Sequence, residues 1–348
     1  MKVATWRGAA RFTIDDVPDA APGPGQALVA VQAAGICGTD VHATQGLFPW
    51  KPLLVMGHEY TGVVQEVGRG VSRRLVGRTV GCEPSYGCGQ CPDCAEGRVS
   101  QCARCTRVGG FAERVVLPVS CLHALPRGLD AVTAAMTEPA ACCLANLEMF
   151  RMPRGATVLV IGGGIMGLLT MALAHRRGAR RLILSDPIAE RRAMAKRLGA
   201  SVVIDPARES LRDRVLGLTH DRGADVVCEA VGKPELVAQA LDLYDVHFRE
   251  IRIHGAFGRG GAYRRALALM PKLRVRPTGH REVPARTDRG RVRPRHRRPR
   301  REDDDRFHGG PEWPPNPQRS EARRVTRGAP RQPLCISQSR MRGFSSRG

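Results

Sequence analysis

The sequence predicts an α/β protein in two parts: a β-rich domain over residues 1–150 and a doubly wound parallel-sheet domain over 151–275. A tail over 276–348, expected to be disordered, follows them. Three observations carry this. The first 125 residues alternate short apolar runs with glycine and proline, as at Pro22, Gly23, Pro24 and Gly25, which suits short strands joined by tight turns. Beyond Arg154 apolar strands alternate with helical stretches, the pattern of a parallel sheet with crossover helices. After Val275 arginine and proline dominate, and hydrophobic periodicity vanishes.

Each element follows in order. Residues 27–31 and 61–68 are mostly apolar and read as strands of the first part. Residues 157–161 form a buried-strand run, glycines follow, and 167–175 has helical character. A second strand is expected over 181–185, a second helix over 188–198, and further strands over 201–204 and 224–228.

Composition bounds the partners. The chain has 348 residues, 42% of them hydrophobic, and a formal charge of +22. That charge would ordinarily point to a polyanion. Its distribution argues otherwise: residues 276–348 hold 20 arginines, no lysine and 8 acidic residues, a net +12. The tail lacks interleaved aromatics and carries Asp303, Asp304 and Asp305, which disfavour phosphate, so nucleic acid is not the expected partner beyond non-specific attraction. The first residues lack the apolar stretch of a secretory signal, and no apolar run is long enough to span a bilayer. A cytoplasmic location is therefore expected, where the 12 cysteines serve as thiols or metal ligands rather than disulfides.

Gly162, Gly164 and Gly167 form a G-x-G-x-x-G turn that follows an apolar strand and opens a helix, the context that gives this motif meaning. The first glycine permits a tight turn, the second lets the backbone approach a pyrophosphate, and the third allows close helix packing. Asp186 ends the next strand, where an acid can bind the adenosine ribose hydroxyls, with helix capping as its alternative role. A carboxylate there favours NAD over NADP. Arg191 and Arg192 lie close enough in sequence to keep NADP open as the alternative, but are read first as solvated helix residues.

Cys88, Cys91, Cys94 and Cys102 are spaced for a closed, tetrahedral structural zinc site, with Cys105 a nearby competitor for the fourth place. A second, dispersed set comprises Cys37, Thr39 and His42, then His58 and Glu59. Taken singly, Cys37 could be a buried thiol, His58 a satisfied core histidine and His42 a surface histidine in a loop.

Together, the G-I-C-G-T-D-x-H and G-H-E segments, the four-cysteine lobe, the T-E-P-A segment at Thr137 and the nucleotide turn resemble the zinc-dependent medium-chain alcohol dehydrogenases. The polyol branch, with sorbitol, butanediol and threonine dehydrogenases, is the most similar, and the resemblance covers about residues 1–275. It implies a GroES-like catalytic domain ahead of a Rossmann domain, a homo-oligomer, and hydride transfer from an alcohol or polyol to NAD(P). By it, Cys37, His58 and Glu59 would hold the catalytic zinc, Glu138 would be a further ligand or a substrate-contacting carboxylate, and Thr39 and His42 would relay the hydroxyl proton. Cys142 and Cys143, outside the motif, are read as buried thiols.

Two departures stand out. The P-G-G strand that the family places after residue 232 is missing, and the tail reads like translation of a GC-rich gene in the wrong frame. They leave a second reading: an inactive, zinc-stabilised remnant, or a nucleic-acid-associated protein acting through the tail.

Overall fold

The computed structural model describes residues 1–48, 50–233, 235–237, 253, 255, 258–259, 261–273 and 275. All belong to one compact unit, Met1–Val292. The first part runs β1 (Lys2–Trp6), β2 (Phe12–Asp16), β3 (Gln26–Gly35), α1 (Gly38–Thr44), β4 (Leu54–Val55) and β5 (Glu59–Val67). It continues through β6 (Thr79–Cys82), β7 (Ser85–Tyr86), α2 (Pro92–Ala95), β8 (Thr106–Arg107), β9 (Arg114–Pro118) and β10 (Leu122–Ala124).

Short strands broken by glycine favour antiparallel neighbours joined locally. Five of them form a sheet in the order β10-β6-β5-β3-β9, and three form a second sheet, β2-β1-β4. Ala27, Val29, Tyr60, Val64, Val80, Val115 and Leu117 bury against one another as the core of the larger sheet. Its central pair, β3 with β5, carries register shifts between Leu28 and Val29 and between Val31 and Ala33. Beyond them Gly35 pairs with Glu59, so the segment leading to Cys37 lies directly against the strand that begins after His58. A side chain at position 35 would run into the Glu59 carboxylate, which is why glycine stands there.

Two helices, α3 (Ala131–Ala135) and α4 (Thr137–Met149), lead into the second part. Then come β11 (Thr157–Ile161), α5 (Ile165–Arg176), β12 (Arg181–Ser185), α6 (Ala189–Arg197), β13 (Val202–Ile204), α7 (Leu211–Thr219), β14 (Val226–Glu229) and α8 (Tyr263–Leu273). The four strands form a parallel sheet in the order β13-β12-β11-β14, as the alternating pattern predicts. Successive side chains of β11 face opposite ways. Val158 and Val160 pack with Leu144, Leu147, Leu169 and Met270, whereas Leu159 and Ile161 pack with Ile183, Ile204 and Val215. Covering on both faces explains why this strand is apolar throughout.

Among the described residues, six helices that the sequence reading did not place are α1, α2, α3, α4, α7 and α8. The signal for α8 is present: its buried residues Tyr263, Ala266, Leu267, Met270 and Leu273 repeat at helical spacing. Residues 251–257, which resemble the family's next strand, are described only at Ile253 and Gly255, and the tail over 276–348 lies outside the described residues. Among the described residues, no helix is long and apolar enough to cross a membrane.

Leu147 is 2% exposed and joins α4 to the parallel sheet. Replacing it with alanine should destabilise the fold by about 2–5 kcal/mol, read from the urea midpoint.

Candidate metal centres and nucleotide loop

The cysteine lobe follows β7. Cys91 caps α2 and Cys94 lies within it, while Cys102 follows a 3-10 turn, Val99–Gln101. The thiol sulfurs of Cys88, Cys91, Cys94 and Cys102 all lie within 4.8 Å of one another, and those of Cys88 and Cys94 are 4.0 Å apart. Tetrahedral zinc thiolates place their sulfurs about 3.8 Å apart, so the lobe fits that ion. The N–H of Gln90, and with it that of Cys91, overcomes desolvation and holds the Cys88 thiol down to about 6, favouring the thiolate that binds metal. Cys105 does not join the group; its thiol meets the Thr106 carbonyl at 3.9 Å. A side chain at Gly87 would run into the Cys94 sulfur.

The dispersed set also converges. One ligand atom each from Cys37, His58 and Glu59 lies within 4.8 Å of the other two. Asp40, 3% exposed, joins their two segments: it accepts from the Cys37 N–H at 2.9 Å and from the Gly57 N–H at 3.4 Å. It also lies 3.4 Å from Nδ1 of His58, near enough for charge attraction but off the hydrogen-bond line. Thr39 accepts a long contact from the Cys37 thiol at 3.7 Å. His42 is exposed on α1, three residues along from Thr39 and so on the same helix face, outside the three-ligand group.

The electrostatics of this group call for a cation. Burial opposes a charge on His58, yet the neighbouring Asp40 carboxylate and the Cys37 sulfur outweigh it and push the imidazole up to about 11. Burial, and then the charge of Glu138, pushes Glu59 up to about 7. Among the described residues, four buried side-chain polar atoms lack a hydrogen-bond partner: His58 Nδ1, Glu59 Oε1, Thr137 Oγ1 and Arg259 Nε. Two of these belong to the three-ligand group, and the others lie beside or bind Glu138. Orphaned buried polar atoms are rare in folded proteins and call for a specific explanation. A divalent cation held by Cys37, His58 and Glu59 supplies one, displacing the protons as it binds. Sulfur, imidazole and carboxylate with one position left over is the donor set of a catalytic zinc.

Glu138, at the first turn of α4, is 8% exposed. Its Oε1 accepts from Arg259 Nη1 at 3.0 Å and from the Cys142 thiol at 3.7 Å. Cys143 is fully buried as expected, but Cys142 is only half-buried and touches a candidate catalytic carboxylate. Arg259 escaped the sequence reading. Its contact is 121 residues away in sequence, and no local pattern marks it.

The nucleotide turn lies where strand order reverses, between β11 and β14, the switch point at which such sheets bind ligands. Gly162 adopts φ +100°, a conformation open to glycine. A side chain at Gly167 would strike the Gly162 carbonyl, whereas open space surrounds Gly164, which caps α5. Asp186, 2% exposed, accepts from the Gly163 N–H and from the Ile188 N–H, each at 2.7 Å. It thus braces the turn and the entry to α6 together. Arg191 and Arg192 are not simply solvated. Arg191 lies 3.3 Å from the Asp186 carboxylate, while Arg192 donates to the Asp186 carbonyl and pairs with Asp205 at 3.0 Å. The strand-end carbonyl and Asp205 draw the Arg192 guanidinium inward, whereas Arg191 stays about half exposed beside the carboxylate.

Comparisons with known proteins agree with this construction. Residues 23–127 match the alcohol dehydrogenase GroES-like domain, and residues 166–247 match the zinc-binding dehydrogenase family. The chain is 34% identical to sorbitol dehydrogenase of Halalkalibacterium halodurans over 69% of its own length and 72% of that protein's. It is 36% identical to L-threonine 3-dehydrogenase of Pyrococcus abyssi, with 69% and 71% covered. A zinc-binding dehydrogenase from Sinorhizobium meliloti, solved bound to NADP, superposes with a TM-score of 0.72 at 34% identity, covering 78% of this chain and 89% of that one. The chain belongs to the zinc-dependent medium-chain alcohol dehydrogenase family, whose members are alcohol and polyol oxidoreductases.

Proposed function

We propose that this chain transfers a hydride from a secondary alcohol or polyol to a nicotinamide dinucleotide at a zinc held by Cys37, His58 and Glu59. The observation that carries the reading is the convergence of these three side chains, two of them with orphaned buried atoms, in a chain that also carries a glycine turn at the switch point of its parallel sheet. Bound zinc supplies Lewis acidity toward an alcohol hydroxyl, and bound nicotinamide supplies the hydride acceptor. Asp40 holds the Cys37 and His58 segments in register. Thr39 and His42, on one face of α1, carry the hydroxyl proton from the buried site to solvent, a task suited to an exposed imidazole. Glu138 bears on the same site as a ligand or a substrate contact. Cys88, Cys91, Cys94 and Cys102 hold a second, structural zinc.

Gly162, Gly164 and Gly167 receive the pyrophosphate at the start of α5, and Asp186 the adenosine ribose. NAD is preferred over NADP. The Asp186 carboxylate is fixed at the strand end by two N–H groups, and Arg191 is already paired with it, leaving little uncompensated positive charge for a 2′-phosphate. The catalytic part spans 1–150, the nucleotide-binding part 151–275 and the tail 276–348, with a homo-oligomer as the working assembly. Polyols, vicinal diols and threonine are the substrates to try first, since relatives are named for sorbitol and threonine. An NADH-absorbance assay on that panel decides; a protein loaded with both metals that reduces NAD with none of these substrate classes would leave the inactive-remnant reading standing.

Elemental analysis should find two zinc ions per chain. Cys37→Ser should remove one with little change in melting temperature. Cys91→Ser should remove the other and lower the melting temperature by several degrees, because metal binding in the lobe contributes folding free energy. Well-folded protein without zinc would refute both sites.

Asp186→Ala should weaken NAD binding about tenfold or more by calorimetry while leaving zinc content unchanged. Tighter binding of NADP than NAD by the unmodified chain would transfer control of the pocket to Arg191.

A further inference from the structure

We infer that Arg259 is a positioning residue that holds Glu138 away from the catalytic ion and so keeps its fourth coordination place open for substrate. The inference rests on the zinc site proposed above and decides between the two roles left to Glu138.

The problem it solves is an excess of ligands. Cys37, His58 and Glu59 already furnish three donors, and tetrahedral zinc takes four. Glu138 is a buried carboxylate in the first turn of α4, a helix that packs against β5, the strand that begins at Glu59. A carboxylate free to turn toward the ion would close the coordination shell and exclude the alcohol. Arg259 prevents this by a competing, charge-assisted hydrogen bond at 3.0 Å to Glu138 Oε1.

Arg259 can do so because it cannot follow Glu138. Its side chain is 12% exposed and is anchored on its far side at the root of the cysteine lobe by one hydrogen bond and one ion pair. Nη2 donates to the Ser85 hydroxyl at 2.7 Å, and Nε lies 3.7 Å from Glu83 Oε2. Glu83 is itself fixed by His123, whose Nε2 is 2.7 Å from Oε1. Behind Arg259, Gly258 takes φ +83° and lies so close to Ser100 that any side chain would strike its hydroxyl. The lobe that ends in Cys102 therefore sets the place from which Arg259 draws on Glu138.

A purely structural ion pair explains the arrangement less well. Buried pairs are weak sources of stability, since desolvation offsets attraction, and apolar replacements often serve as well. The Glu138 of this pair sits on a helix that packs against the strand of Glu59, and the Arg259 Nε remains without a hydrogen bond. Such expense at that place is better accounted for by control of the neighbouring carboxylate.

The test uses the full-length chain with cobalt(II) in place of zinc, whose visible bands report coordination, and imidazole as a probe of the open place. The wild type should take imidazole with a band shift. Arg259→Gln should need on the order of tenfold more imidazole, the scale of an outer-shell change. Arg259→Gln with Glu138→Gln should return to within about threefold of wild type, because the competing carboxylate is gone. Arg259→Gln that holds both metals and binds imidazole as the wild type does overturns the inference. So does a double variant that binds imidazole no better than Arg259→Gln alone, since that is what a structural role predicts. Should Arg259→Gln alone not fold, recovery of both fold and imidazole binding in the double variant is the supporting result. A wild type that takes up cobalt only in the cysteine lobe sinks the zinc site itself, and this inference with it.

Discussion

Buried negative charge in need of a cation organises the centre of this protein. Asp40, Glu59 and Glu138 are each less than 10% exposed, and Cys37 adds a thiol. Burying carboxylates this closely is unfavourable unless positive charge or directed N–H groups compensate. Compensation here is divided. Asp40 receives backbone N–H groups, Glu138 receives Arg259, and Glu59 receives neither, retaining an orphaned oxygen. The carboxylate left uncompensated is thus the one grouped with Cys37 and His58. Where the protein spends its own donors and where it withholds them are equally informative about the place of the ion.

That division also shows which features can be read from sequence. Ligands of the cysteine lobe fall within one short stretch, so spacing alone identifies them, and geometry needs only to choose Cys102 over Cys105. Parallel strands β11, β12, β13 and β14 were legible because burial on both faces makes each a dense apolar run. Cys37 and His58 lie farther apart, and single residues of either type are commonly bland; the surrounding motifs, not spacing, marked them. Asp40 stood within a quoted motif yet drew no role, since its partners Gly57 and His58 meet it only after β3 pairs with β5. Arg259 was beyond reach altogether. A contact between α4 and a segment 121 residues later is a property of packing.

The helices missed by sequence reading are informative in a similar way. Within α4 the apolar residues are small or spread around the helix, because it is buried against α5, α8 and the sheet rather than half-exposed. Periodicity fades when more than one face is covered. α8, by contrast, repeats its buried positions clearly, but arginine at 264 and 265 and Pro271 inside the helix masked the pattern. Pro271 removes one backbone donor near the end of the helix, where the cost is smaller than in its middle.

The nucleotide turn and the metal group share one design feature: each is braced by an acid that holds backbone rather than ligand. Asp186 binds the N–H groups of Gly163 and Ile188, fixing the turn to the entry of α6, and Asp40 binds those of Cys37 and Gly57, fixing two ligand segments to each other. In both cases the carboxylate is nearly inaccessible, so the bonds are protected from water and the geometry is set before a ligand arrives. Preorganisation of this kind removes reorganisation from the binding step and leaves the interaction energy for orienting the reacting groups. It also means that Asp186 would have to share its oxygens between the turn and a ribose. An acid with its lone pairs divided in this way holds the cofactor by position as much as by strength, which suits a dinucleotide that must leave after each turnover.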